Sequence, residues 1–299
     1  MAKNYGLDLE REEQEQDGTE KLAGAIPICL AVDFDKLSFE EQKRYFPMGE
    51  VQRSDKGDMQ DCASRDKNNR LESKMNFLIR NDFFTPLQLN FLQQYLNEKG
   101  EFESSDAWIA MNSNTTKAGN SLKAPALALH KKGPIPKKIL PLESWMTWED
   151  YHNKDRLTDE MTEIGLKFME IIGEIFFGKE YDFDQKRGLC TGLYAWGRYD
   201  ENGVYQRTEN PFTHAVYLPA SDDPKVLKQA LDNYRDSFDG NFIKDLAPDY
   251  KLYKYGYDIV IGPVKKSKKK PNTFGGVGDL VARFMVFFAS IIGSIIKWK

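Results

Sequence analysis

The sequence predicts an α+β protein of two lobes, a helical lobe followed by a β lobe. Three observations predict it. Helical periodicity dominates residues 62–177. Beyond Gly188 the texture changes to short runs rich in β-branched and aromatic residues, bounded by Gly, Asn, Asp and Pro. The chain has 299 residues, 40% hydrophobic and 13% aromatic, which is enough to bury a real core.

Residues 1–20 carry seven acids against Lys3 and Arg11 and almost no apolar content, so an acidic arm without structure is expected there. It lacks the basic start and apolar run of a signal peptide. Residues 21–52 mix an apolar run at 25–32 with turn signals such as Pro47-Met48-Gly49. The stretch Cys62–Arg80 reads as a helix: Leu71, Met75, Leu78 and Ile79 recur at helical spacing, and Asp61 suits the N-cap. Residues 86–96 and 124–130 read as helices too. The strongest helical pattern is 159–177, where Met161, Ile164, Phe168, Ile171, Ile172 and Ile175 line one face. Strands are expected at 189–199, 213–218 and 253–261. The helical lobe is thus placed at about 50–185 and the β lobe at about 186–263.

Residues 264–299 stand apart. They hold eight bases and the single acid Asp279, whereas the 263 residues before them sum to −11. A basic run, Lys265 to Lys270, is followed by a Gly-rich linker and by the apolar stretch 280–296. As a helix those 17 residues would be about 25 Å long, short of a hydrocarbon core of roughly 30 Å. An interfacial helix on an anionic membrane is the first reading. A short spanning helix and a helix docked on protein are the others.

Composition excludes several classes. Three scattered cysteines (Cys29, Cys62, Cys190) rule out a disulfide scaffold and a CxxC zinc site. With only three His as well, no metal or other cofactor is expected. A net charge of −4 argues against a general nucleic-acid binder. Gly275-Gly276-Val277-Gly278 lacks the Lys-Ser/Thr of a phosphate loop. Cys29 and Cys190 lie in apolar runs and read as core thiols. Trp145, Trp148 and Trp196 read as packing residues.

Cys62 is the chemically interesting thiol. At a helix start it feels the positive end of the dipole, which favours thiolate. His130 suits a helix C-terminus, and His152 follows a polar loop. His214 opens the apolar strand Ala215-Val216-Tyr217-Leu218, where an imidazole can take a thiol proton. The turn Asp236-Ser237-Phe238-Asp239-Gly240 follows 22 residues later and offers a carboxylate to orient that imidazole.

Together these positions resemble the papain-like cysteine peptidases over about residues 45–262. The order Cys, His, Asn/Asp is kept, and the family's His-Ala-Val stands as His214-Ala215-Val216. Asp236-Ser237-Phe238-Asp239-Gly240 is similar to its Asn-Ser-Trp-Gly motif. The segment from Gly119-Asn120-Ser121-Leu122 to Gly133-Pro134 is similar to its Gly-rich substrate wall, short helix and turn. Asp61-Cys62 and Asn202-Gly203-Val204-Tyr205 look most like divergent bacteriophage members. The resemblance implies a papain-like two-lobe fold over residues 21–263 and peptide-bond cleavage without a cofactor. It implies Cys62 as nucleophile, His214 as base, Asp236 as its orienting group, and Gly119 and Asn120 as backbone partners of a peptide substrate. The family's oxyanion Gln lies six residues before the Cys, where this chain has Lys56. Gln52 is preferred over Gln60, because a longer loop can fold it back. Alternatives are a hydrolase of cell-wall peptides and an inactive papain-fold component of a virion or membrane.

Pelleting with anionic liposomes tests the tail. The intact chain is expected to co-sediment and a chain ending at Pro263 to stay in solution; equal behaviour of the two excludes membrane contact.

Overall fold

The stretch Cys62–Arg80 carries seven charged side chains, yet it forms the buried centre of the molecule. This is seen in a computed structural model, which describes residues 6–16, 32–49, 51–181, 187–209 and 212–262, apart from 222, 224, 226 and 237. The helix spans the predicted residues, and every residue from Cys62 to Leu78 except Asn69 is buried.

Among the described residues the order of elements is α1 (Leu9–Gln14), α2 (Phe39–Gln42), the hairpin β1 (Arg53–Ser54) and β2 (Gly57–Asp58), then α3 (Cys62–Arg80). Next come α4 (Pro86–Gln93), α5 (Asp106–Asn112), α6 (Lys123–Lys132), α7 (Trp148–Tyr151) and α8 (Asp159–Ile172). Six strands follow: β3 (Ile175–Glu180), β4 (Leu189–Tyr194), β5 (Phe212–Leu218), β6 (Lys228–Leu231), β7 (Ile243–Leu246) and β8 (Leu252–Ile261). They form one sheet in the order β3-β8-β4-β5-β6-β7, all neighbours antiparallel. The helices-then-strands order of the sequence is the order of the fold.

Several boundaries differ from expectation: the helix expected at 86–96 ends at Gln93 and the strand expected at 189–199 ends at Tyr194. The helix of 159–177 stops at Ile172, because Gly173 leaves the helix at φ +107°. Ile175, Phe176 and Phe177 then extend as β3 and pair with Ile261, Val260 and Ile259. Edge pairing to an already formed strand outweighs their helical spacing. The sheet therefore begins at Ile175, inside the stretch assigned to the helical lobe. α4 begins as read, with Pro86 at its first position and a Thr85/Gln88 capping box.

The acidic arm is also a correction. Gly6 to Gln16 is ordered, and α1 lies within it. Glu12 accepts from the Tyr255 hydroxyl and the Lys123 amide, Glu13 from Lys254 and Glu15 from the Ser121 hydroxyl, whereas Glu10 is exposed. The expected basic run and apolar helix of 264–299, and Cys29, lie outside the described residues. Among the described residues no helix is long and apolar enough to cross a membrane.

A charged helix can be buried only if its charges are paired. Arg70 meets Asp35 at 2.7 Å and Asp258 at 3.0 Å, and Lys74 meets Asp258 at 3.1 Å. Arg65 bonds Asp61 at 2.8 Å and Asp106 at 3.0 Å. Lys67 pairs with Asp66 at 2.8 Å. Glu72 accepts the Ser104 amide at 2.5 Å. The apolar side of the same helix supplies Leu71, Met75 and Leu78, which pack with Trp108, Phe168, Ile172, Tyr217 and Ile259 in the main core.

Breaking this network should cost far more than breaking a surface pair. Asp258→Ala leaves Arg70 and Lys74 short of an anion and is expected to lower stability by roughly 3–5 kcal/mol in urea unfolding. Lys117→Ala removes the exposed partner of Glu149 and should leave the midpoint unchanged.

Candidate active site

Cys62 is the first residue of α3. The first amides of a helix have no intrahelical acceptor, so the Cys62 N–H is one of the donors that this end offers. Asp61 occupies the N-cap but does not cap with its side chain. Its carboxylate instead accepts from Arg65 Nε at 2.8 Å and from the Tyr151 hydroxyl at 2.6 Å. The helix start is thus tied to α7 and to its own next turn.

The thiol faces β5. The Ala215 amide donates to Cys62 Sγ at 3.3 Å, so the thiol lies against the strand one residue from His214. Both Cys62 and His214 are fully buried. The sequence anticipates a thiolate here, and the structure corrects that: burial pushes the Cys62 thiol well above its ordinary value. The Ala215 amide opposes the shift, and Asp66, Asp61 and Asp58 add to it. Loss of water outweighs the helix dipole.

The imidazole partner is a second correction. His214 Nε2 lies 2.5 Å from Asp232 Oδ1. Asp232 also accepts from Lys244 Nζ at 2.6 Å and from the Asn233 amide at 2.7 Å. Burial pushes the Asp232 carboxyl up, but the charges of His214 and Lys244 and their hydrogen bonds outweigh it and hold it below the usual range. Asp236 is elsewhere occupied. Its carboxylate accepts from the Phe238 amide at 2.7 Å and the Tyr205 hydroxyl at 3.3 Å, and its backbone closes the turn to Gly240 and Asn241. The Asp/Gly turn chemistry drew attention to Asp236, whereas Asp232 follows β6 directly and β6 joins β5 through Tyr217 and Leu231. That pairing is invisible along the chain. Trp196, read as packing, packs edge-on to the His214 ring at 5.7 Å, and Tyr234 lies at 5.4 Å. Trp145, read the same way, is 59% exposed.

Gln52 is bonded to Asp58, Met59 and Asn233. The hairpin of β1 and β2 takes up the extra residues, and the Met59 amide closes on the Gln52 carbonyl at 3.0 Å. Gln52 Nε2 and the Gln60 amide both donate to Asp58 Oδ1 at 2.9 Å. The Gln52 amide also reaches the Asn233 carbonyl at 3.2 Å, next to Asp232. Gln60 adopts a left-handed φ of +56° immediately before Asp61.

The other histidines lie apart from this cluster. His130 Nδ1 meets the Ile175 carbonyl at 2.6 Å, and His152 Nε2 meets the Met59 carbonyl at 2.9 Å. Cys190 is a core thiol that donates to the Asp66 carbonyl at 3.1 Å. Among the described residues no group of three His, Cys, Asp or Glu side chains is placed to hold a metal ion.

Gly119 and Asn120 form a backbone edge, and an extended segment already lies on it. The Asn120 amide donates to the Gly6 carbonyl at 2.9 Å, and the Asp8 amide donates to the Asn120 carbonyl at 2.8 Å. Gly119 has φ +107°, and a Cβ there would stand 2.2 Å from the Gly6 carbonyl oxygen, so only glycine fits. Between those two bonds Leu7, 4% exposed, joins a cluster with Cys62, Ala63, Leu122 and Ala215.

No family model and no curated sequence matches the chain. Solved structures do. Xylellain, a cysteine protease from Xylella fastidiosa, is 15% identical over 88% of this chain and 97% of its own, with a TM-score of 0.51. The ragweed pollen cysteine protease Amb a 11, in its proform, is 10% identical over 88% and 76%, with a TM-score of 0.53. The likeness is one of fold, and the fold is that of papain-like cysteine proteases.

The Asp232 pair has a pH signature. A carboxyl held below the ordinary 3.8 of an aspartate adds stability above that value, which is lost as pH falls through the lower folded value. Unfolding midpoints measured below about pH 4 should fall steeply in the native chain. In Asp232→Asn they should fall less steeply, from a starting stability lower by roughly 3 kcal/mol.

Proposed function

We propose that the chain is a cysteine peptidase that cleaves peptide bonds through an acyl-enzyme. The observation that carries this reading is a thiol on a helix N-terminus, set against the strand whose His214 pairs with Asp232. His214 takes the Cys62 proton, and the sulfur attacks the scissile carbonyl carbon. Asp232, fixed by Lys244 and the Asn233 amide, holds the imidazole in one orientation and stabilises its charged form. The Cys62 amide and the Gln52 side chain serve as donors to the tetrahedral oxyanion, each typically worth about 3 kcal/mol. Imidazolium then protonates the leaving amine, and water, activated by His214, releases the acid product. The Gly119–Asn120 edge would hold the substrate as an added strand.

The test is an electrophilic peptide. A peptidyl vinyl sulfone should add one equivalent to the intact chain, mapped to Cys62 by mass spectrometry. His214→Ala should slow the addition by about 10³-fold or more. Addition that persists in Cys62→Ala, or casein cleavage unaffected by that substitution, excludes the assignment.

A further inference from the structure

Side chains alternate between the two faces of a strand, so β6 and β7 have a side turned away from His214. Ala230 packs with Leu193, Val216 and Leu246, and Lys244 reaches Asp232 from that same side. Gln229 and Leu231 therefore point the other way, together with Asp245 and Ile243, with which they pair. These four residues line a cavity of about 570 Å³, a volume typical of small-molecule sites. Residues from 39–49 close one side of it and the turn Asp236–Phe242 closes the other.

The lining combines two kinds of surface. Phe39, Phe46, Phe238 and Phe242 supply aromatic wall. Phe238 leaves 52% of its surface exposed, although its ring meets Tyr199 at 5.5 Å. Glu40, Asp236, Asp239 and Asp245 supply carboxylates, and Lys43 is the lysine among the lining residues. Lys43 lies 2.7 Å from Glu40 and is committed to it.

The other three carboxylates lack a cation. Asp236 is only 6% exposed. It accepts from the Phe238 amide and the Tyr205 hydroxyl on Oδ1, and Oδ2 has no partner among the described residues. A buried carboxylate oxygen is normally paired, so this one points to a missing partner. Asp239 is bonded to the neutral Asn241, at 2.8 Å by its amide and 2.7 Å by its side chain. Burial pushes the Asp245 carboxyl up against a hydrogen bond from Gln229 and the charge of Lys43, and Asp239 and Asp236 add to the rise. Nearby, Arg235 spends its guanidinium on the Phe242 ring, 4.9 Å from the centroid, and on the Gly240 carbonyl.

The chemistry selects the ligand. Anions are repelled by the surplus of carboxylates. A metal ion finds no three acidic, His or Cys side chains gathered to hold it among the described residues. An organic cation suits both surfaces, because carboxylates and ring faces attract its head and the apolar walls take its body. Arg235 on Phe242 is the same contact made within the chain.

We propose that this cavity binds a small organic cation, an ammonium or guanidinium head on an apolar body, with Asp236 Oδ2, Asp239 and Asp245 receiving the head and Phe238 flanking the body. The site does not rest on the reading of Cys62 as nucleophile, since β6 stands between the cavity and the His214–Asp232 pair.

The test titrates phenethylguanidine into the intact chain, read by calorimetry and by backbone amide shifts in NMR. Saturable binding with a Kd of about 1 mM or tighter is expected, with the shifts centred on Gly203, Leu231 and Ile243. Phenethyl alcohol, which keeps the body, and guanidinium chloride, which keeps the head, should each bind about tenfold more weakly or worse. Asp239→Asn combined with Asp245→Asn removes two charges at constant volume and should weaken phenethylguanidine about tenfold. Should that variant lose its native amide spectrum, the exposed Phe238→Ala decides in its place and should weaken binding as well. Unchanged affinity in the folded variant overturns the site. Shifts centred on Ala215 instead place the ligand beside Cys62 and overturn it too. Equal binding of the alcohol overturns cation recognition, and equal shifts from calcium chloride overturn the choice of an organic cation.

Discussion

The pairing of charges on α3 is the constraint that the rest of the structure answers to. A helix that buries Arg65, Asp66, Lys67, Arg70, Glu72 and Lys74 cannot sit against just any apolar surface. Each charge needs an opposite charge or a hydrogen bond in place, because an unpaired ion in the interior costs several kcal/mol. The partners come from remote stretches: Asp35 from a short 3₁₀ turn, Asp106 from the start of α5, Asp258 from β8. Satisfying Arg70 alone therefore fixes the sheet, the N-terminal part of the helical lobe and α3 against one another. Cys62 inherits its position from that lock, since it is the first residue of the same helix.

The site shows the same logic on a smaller scale. Lys244 on β7 neutralises Asp232, Asp232 holds His214, and the strand bearing His214 offers its next amide to the Cys62 sulfur. Three strands and the central helix must be in register for the thiol to lie against the strand that bears His214. Gln52 is held to this frame from two sides, by Met59 next to the helix and by Asn233 next to Asp232. Under the proposed chemistry this frame would preorganise the donors, which is where electrostatic catalysis obtains most of its effect.

Segment 6–16 adds a layer that changes how the site is read. With it seated, burial pushes the Cys62 thiol upward, and the Asn120 backbone edge is already hydrogen-bonded. The segment's acidic composition, which looks like solvated charge in isolation, is complementary to the tyrosines and lysines at the border of β8. Composition reports how a segment behaves in water; it is silent about a surface that replaces the water.

By itself the sequence determined what depends on neighbours along the chain. The helix Cys62–Arg80 with its cysteine at the start, and the strands at His214 and Tyr253, were legible, because 3.6- and 2-residue periods and turn residues are local signals. Tertiary structure alone decided which carboxylate serves the imidazole, because β6 meets β5 across 14 residues of sequence separating Tyr217 from Leu231. It also decided that residues 175–177 join the sheet, that the buried helix is held by ions, and that residues 6–16 lie on the body with a short helix. Each of those outcomes rests on partners far apart in sequence, whose desolvation and pairing energies exist only once the chain has brought them together.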